Sequence, residues 1–485
     1  MTALHWRSAR DLAAALARGE LSALELLEHF AARVERVNAK VNAVVATDLD
    51  GARARARRAD AARARGEALG PLHGLPMTIK DSHEVVGMPT TSGARELAAH
   101  RPVRDADAVA RLVTAGAVPF GKTNLPLYAG DFQSYNAVYG TTNNPWDVAR
   151  VPGGSSGGAA AALACGMTPL ELGSDIGGSI RNPSHFCGVY GHKPSHGLVS
   201  SRGHIPGPPG ILSSPDLAVT GPMARCADDL ALALGVLAAP APEDAVAWRV
   251  ELPPPRAERL RELRVAPWLE IPGAPPVDAE VTALLSGAVE RLAAAGLRIA
   301  PPPRIDAAAS TRVYLRLLNA VIAPGLPLEV RRGMEQAYAT LAPGDASPAA
   351  DLVRGAVGPH HAWLVDNEAR HRLRAQWAEL FRDVDAVLMP VHSLPAFAHD
   401  HSPFEARTLF VKGESIHYMA PIFFAGLATV VGLPSTAFPV GRTRSGLPVG
   451  IQAVGPRFED LTPIALARLA EPVLGGFEPP PDFAD

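Results

Sequence analysis

Lysine is nearly missing from this chain. Of 46 basic residues in 485, only five are lysines: Lys40, Lys80, Lys122, Lys193 and Lys412. Arginine keeps its proton in a protein, whereas a lysine taken out of water releases one more readily. Each lysine is therefore worth weighing as a base. Cysteine is scarce as well. Cys165, Cys187 and Cys226 are odd in number and form no C-x-x-C pair. That excludes a disulfide framework and predicts a reducing compartment, the cytoplasm. An excess of either charge is also lacking. The net charge of −3 argues against a nucleic-acid partner, which would present a basic face. No long apolar run is present: stretches 230–240 and 421–434 are too short for a membrane span and contain Gly or Pro. The first six residues show no basic region leading into an apolar one, so no leader peptide is expected. The histidine clusters, His360-His361 and His399-Asp400-His401, lack metalloenzyme spacing, and neither metal nor cofactor is expected.

What is present is a regular alternation of short apolar runs and helical periods. Ser8 to Asp11 and Ser22 to Glu25 read as capping boxes opening two helices. Leu26, Leu27, Phe30, Val34 and Val37 give the second helix one apolar face. Segment 51–68 reads as an exposed Arg-rich helix, 75–79 as a buried strand, and Asp105 as the cap of a helix ending at Thr114. Further strands are expected at 118–120, 169–173, 386–391, 436–440 and 449–454, with a buried small-residue helix at 157–165. The pattern predicts an α/β fold, a central twisted mixed β-sheet surrounded by α-helices, in one domain spanning 1–485. Within it, 241–420 is a variable region. It holds a βαβ unit at about 263–300 and a helical insertion at about 305–382.

Several motifs fit patterns they do not fulfil. Gly116 to Thr123 matches a P-loop by letter, but it follows a helix instead of opening one, and its middle is Val-Pro-Phe. Gly153-x-Ser155-x-Gly157 matches a nucleophile elbow, yet 146–152 is poor strand material. A Ser-His-Asp hydrolase using His185, His192 or His196 is therefore the runner-up mechanism. No serine stands three residues before a lysine, so the S-x-x-K arrangement is absent.

The Gly-rich pair of segments is different. Gly153-Gly154-Ser155-Ser156-Gly157-Gly158 is followed by Ser174-Asp175-Ile176-Gly177-Gly178-Ser179-Ile180-Arg181. The amides of Ile176, Gly177, Gly178 and Ser179 can form a nest for an oxyanion, with a serine hydroxyl at its end. Upstream, Gly74-Leu75-Pro76-Met77-Thr78-Ile79-Lys80-Asp81 ends an apolar run on a lysine that could be desolvated and act as base.

These segments resemble the amidase signature family. Similar matches occur at 121–124, 143–147, 186–188, 193–194, 220–222 and 446–450. The resemblance covers 1–235 well and 425–475 moderately. It implies a Ser–cisSer–Lys hydrolase without cofactor, in which Ser179 is the nucleophile, Ser155 the bridging serine and Lys80 the base. Ser156, Asp175 and Arg181 would brace the site, while Asp81 and Lys122 read as structural charges. The implied activity is cleavage of linear amides through an acyl-enzyme, extending to anilides, aryl esters and carbamates (urethanes), by a monomer or homodimer. A dedicated carbamate hydrolase is one alternative. Another is an amidotransferase subunit that works on charged tRNA, although 125–133 lacks the Asp-Glu-Phe-Ala-Met-Gly pattern of the latter. Apolar walls for a neutral, partly hydrophobic substrate are expected from Tyr128, from 205–212 including Ile205 and Leu212, from 314–321, from Phe410, and from 419–424 including Phe423 and Phe424.

Overall fold

The first three α-helices begin where side chains hold their first amides. Ser22 and Glu25 form a complete capping box ahead of the helix Ala23–Val41, which buries Leu26, Leu27, Phe30 and Val37. Ser8 caps Ala9–Arg18 by accepting the Asp11 amide. The expected cap at Asp105 is corrected. That helix is Asp107–Thr114 with Ala106 at its N-cap, and the Asp105 carboxylate accepts the Val86 amide instead. The Arg-rich helix is Leu49–Ala64 and starts early because Asp48 caps it. The computed structural model describes residues 3–485; Met1 and Thr2, in the stretch read above for a leader, lie outside them.

The apolar runs assemble into one eleven-stranded mixed sheet. Its order is Val44–Thr47, Val118–Thr123, Pro76–Lys80, Leu170–Asp175, Val219–Ala224, Tyr190–Lys193, Ser435–Arg442, Pro448–Val454, Ala386–Pro390, Arg264–Pro267 and Arg298–Ile299. The strands 76–80, 118–123, 170–175, 219–224 and 448–454 are buried throughout. Covered on both faces, they need no polar alternation, which is why they read as continuous runs. Helices flank the sheet, so the architecture is the α/β arrangement that the sequence pattern predicts. The P-loop look-alike is a turn entering the strand Val118–Thr123, followed only by the three-residue 3-10 turn Leu127–Ala129 and not by an α-helix.

In the middle of the chain, the helix Ala279–Ala294 connects two parallel strands, Arg264–Pro267 and Arg298–Ile299. Four helices follow: Ala307–Ile322, Leu328–Thr340, Pro348–Val357 and His360–Asp383. A hairpin pairs Thr408–Val411 with Glu414–His417, and the buried helix Ile422–Val430 returns the chain to the sheet.

One register matters most for chemistry. Strands Pro76–Lys80 and Leu170–Asp175 are parallel neighbours, with Thr78 opposite Glu171 and Ile79 opposite Leu172. Their carboxyl ends therefore emerge side by side, the usual place for a ligand site in an α/β sheet. One end delivers Lys80; the other delivers Ser174 and Asp175, then the Gly-rich loop.

Candidate active site

Lys80 is the last residue of its strand and is fully buried. Its Nζ lies 2.7 Å from Ser155 Oγ, 3.0 Å from Ser156 Oγ and 3.0 Å from Ser174 Oγ. Among the described residues it forms no ion pair. Burial drives its pKa from the ordinary 10.5 down to about 7, against the more distant charges of Asp175 and Glu171. Three hydroxyls suit such an amine in either protonation state, because each can accept or donate. Glu171 is itself pushed up to about 7 by burial, so the carboxyl beneath the site holds its charge weakly at neutral pH.

Ser155 follows a cis peptide bond from Gly154. A side chain at Gly154 would run into the backbone of Asp131 and Phe132, so the glycine is required by close approach. Ser156 stands at the N-cap position of the fully buried helix Gly157–Ala164 without a side-chain cap bond, and its amide donates to the Ser179 carbonyl at 3.0 Å. This bond ties the two Gly-rich segments together.

Asp175 organises the loop that follows. Its carboxylate accepts the amides of Gly178 (2.9 Å) and Ile180 (3.0 Å), and Arg181 grips it through Nε (3.1 Å) and Nη2 (2.8 Å). Burial alone would raise this carboxyl, but the Arg181 charge and hydrogen bonds outweigh it and hold the pKa near 2. Arg181 is also fully buried. Its remaining donors reach the Ala425 carbonyl, Gln452 and Thr429. The expected four-amide nest is corrected at Gly178, whose N–H is spent on Asp175. The amides of Ile176, Gly177 and Ser179 donate to no group among the described residues. Ser179 ends the loop and is 9% exposed, more than Lys80 or Ser155.

The wall residues divide. Ile205 is buried: its amide donates to the Ser82 carbonyl and its carbonyl accepts from Ser92 Oγ. Tyr128 is half-buried and donates to Glu96. Phe423 and Phe424 belong to a core cluster with Trp377 and Leu427, and serve packing. Leu212 and Phe410 are corrected. They are 58% and 71% exposed, Phe410 because it faces outward on the two-stranded hairpin, which covers one face only. Tyr314, in the expected 314–321 segment, donates its hydroxyl to the Ile176 carbonyl at 2.9 Å.

Asp81 and Lys122 are both fully buried and 3.5 Å apart. The ammonium also donates to the His83 carbonyl and to Thr90. His185 is held by Gly450 and Leu394, and His192 by Thr436 and Asp460. Among the described residues no histidine bonds to Ser155, Ser156 or Ser179, which leaves the Ser-His-Asp arrangement unassembled. No group of three metal-ligating side chains occurs among them either. Sequence reasoning missed Ser174, whose signal was its place two residues after the buried Leu172. It also missed the ion pair of Asp131 with Arg407 at 2.6 Å, which draws 402–418 toward the backbone next to Gly154. No local pattern links two residues so far apart in the chain.

The chain matches the family described as Amidase over residues 25–462. It is 35% identical to a glutamyl-tRNA(Gln) amidotransferase subunit from Anaeromyxobacter dehalogenans (strain 2CP-C), across 98% of this chain and 97% of that one. In structure it is similar to a bacterial aryl acylamidase of the amidase signature enzymes (TM-score 0.81, 25% identity, 99% of this chain and 98% of the other). A chain from a vestigial protein complex, described as revealing the origins of an s-triazine catabolic enzyme, superposes equally well (TM-score 0.81, 28% identity, 98% and 100%). With the family model matched over residues 25–462 and a 35% identical relative aligned across 98% of the chain, the chain belongs to the amidase signature family of hydrolases.

Proposed function

We propose that the protein is a stand-alone amidohydrolase that cleaves neutral, partly apolar amides through Ser179, Ser155 and Lys80. The observation that carries the reading is Lys80: a buried amine with pKa near 7, 2.7 Å from the Ser155 hydroxyl. In this reading neutral Lys80 takes the Ser155 proton while Ser155 takes that of Ser179. Ser179 Oγ then attacks the carbonyl carbon, and the oxygen gains its charge against the amides of Ile176 and Gly177. The tetrahedral species collapses when Ser155 returns a proton to the leaving nitrogen and is resupplied by the Lys80 ammonium. Water, deprotonated by the same relay, attacks the acyl carbon and frees Ser179. Asp175 and Arg181 fix the loop without touching the reacting atoms.

The relay delivers a proton to any leaving heteroatom, so anilides, aryl esters and carbamates are candidate substrates alongside linear amides. The likeness to an aryl acylamidase supports the anilide member of that set. A panel of amides, anilides, aryl esters and carbamates, compared by kcat/KM with wild type, Ser179→Ala and Lys80→Ala, tests the proposal. Loss of turnover in Ser179→Ala and near loss in Lys80→Ala is expected; full activity in either would sink the mechanism. Preference for the carbamate over every amide would identify a dedicated urethane hydrolase. A second reading, an amidotransferase subunit that works on charged tRNA, is favoured by the 35% identity to such a protein. It predicts that the purified single chain leaves simple amides intact.

A further inference from the structure

Away from the seryl–lysine cluster, a cavity of about 540 Å³ opens between the helix His360–Asp383 and the turn after the strand Pro448–Val454. Four arginines line it: Arg256, Arg374, Arg382 and Arg457. Two of them are committed. Arg256 holds Glu459 through Nε and Nη2, and exposed Arg382 pairs with Glu379.

The other two have no carboxylate partner among the described residues. Arg374 donates through Nε to the Val431 carbonyl, and Arg457 through Nη2 to the His196 carbonyl at 3.5 Å. Arg457 Nε is buried with no partner among the described residues. The two guanidiniums converge: both come within 4 Å of the position a Cβ on Gly432 would occupy. The carboxylates whose charge they feel are spent elsewhere. Asp216 is held at 2.7 and 2.8 Å by Arg370, and Asp460 accepts from Ser195 and His192. Burial and the neighbouring arginines push Arg374 down to about 10, and burial lowers Arg457 too. Two like charges brought together in a partly dry cleft repel each other unless an anion sits between them. Guanidinium forks suit an oxyanion because they offer paired, charge-assisted hydrogen bonds. Apart from Glu459, whose carboxylate Arg256 holds, the remaining wall of Ala378, Phe381, Leu433 and Pro456 is apolar, and the volume is that of a small-molecule site.

We propose that this cavity binds a small oxyanion carrying an apolar group, a carboxylate or a phosphate monoester, between Arg374 and Arg457. Phenyl phosphate is a suitable probe, titrated into the full chain by calorimetry at low ionic strength. One saturable site is expected, with affinity that falls as salt is added. Arg374→Gln and Arg457→Gln should each weaken it by about tenfold to a hundredfold, the worth of a hydrogen bond to a charged group. Arg382→Gln should leave it unchanged. Neither arginine touches Lys80, Ser155 or Ser179, so anilide hydrolysis in both glutamine variants should match the parent's, and with a repulsion removed their melting temperatures should not fall below it, which reports intact folding. The proposal is overturned if phenyl phosphate shows no saturable binding to the unmodified chain. Equal binding of neutral benzyl alcohol, or unchanged affinity in both glutamine variants, would overturn it too.

Discussion

At the scale of the residue, the proposed chemistry turns on an amine with no ion-pair partner among the described residues. Lys80 meets three hydroxyls and no carboxylate among the described residues, so dehydration sets its pKa. The sign of its pH effect follows. As the proposed base, Lys80 is neutral above about pH 7, so kcat/KM for a neutral anilide should rise through an ionisation near 7 and fall about tenfold per unit below it. An acid limb centred near pH 4 would point to a carboxylate base instead. Stability has its own sign. The folded value, about 7, lies below the ordinary 10.5, so between those values the unfolded chain binds the extra proton. The penalty of burying Lys80 is complete below pH 7 and fades as pH rises toward 10.5. Lys80→Met should therefore keep or raise the melting temperature at pH 7 while lowering kcat by about 10²–10⁴-fold. Asp175 behaves oppositely. Asp175→Asn leaves Arg181 buried without its counter-charge, a loss of about 3–5 kcal/mol in urea unfolding.

Elements explain why the loop keeps its shape. Residues 174–181 are pinned below by Asp175 and above by Tyr314 from the helix Ala307–Ile322. A side chain on Gly177 would press on Ile422 and the Tyr314 hydroxyl, so the loop and two helices from the later part of the chain fit closely. Tyr314→Phe keeps the packing and removes one hydrogen bond, worth about 1 kcal/mol. Stopped-flow acylation should slow severalfold with KM little changed, because the peptide plane that joins the Ile176 carbonyl to the Gly177 N–H loses its anchor. Unaltered acylation would mean that the loop holds itself. The tyrosine's part was only half legible in the sequence. Segment 314–321 reads as a wall, and Tyr314 does stand against the loop, but its bond to Ile176 spans 138 residues and leaves no local trace. The strands ending at Lys80 and Asp175 were legible because burial on both faces leaves unbroken apolar runs. The Asp105 cap misled because its carboxylate had a better partner across the chain in the Val86 amide. Leu212 and Phe410 misled for a related reason: apolar character says that a side chain can be buried, and tertiary context decides whether it is.

Across the whole molecule, the lysines divide by location. Lys80, Lys122 and Lys193 are fully buried, each at or near the end of a strand of the central sheet. Only Lys40 and Lys412 are exposed, one closing the helix Ala23–Val41 and the other at the tip of the hairpin. An acylating reagent such as an N-hydroxysuccinimide ester attacks unprotonated amines that it can reach. Intact-mass spectrometry of the native protein should show at most two lysyl adducts beside any at the terminal amine, against five after denaturation. A third adduct in the native state would mean that the interior opens on the labelling timescale. The same sparsity makes the surface addressable. A dye, a biotin or a solid support attached through amines would join this protein at two known lysines, beside the terminal amine, rather than at random.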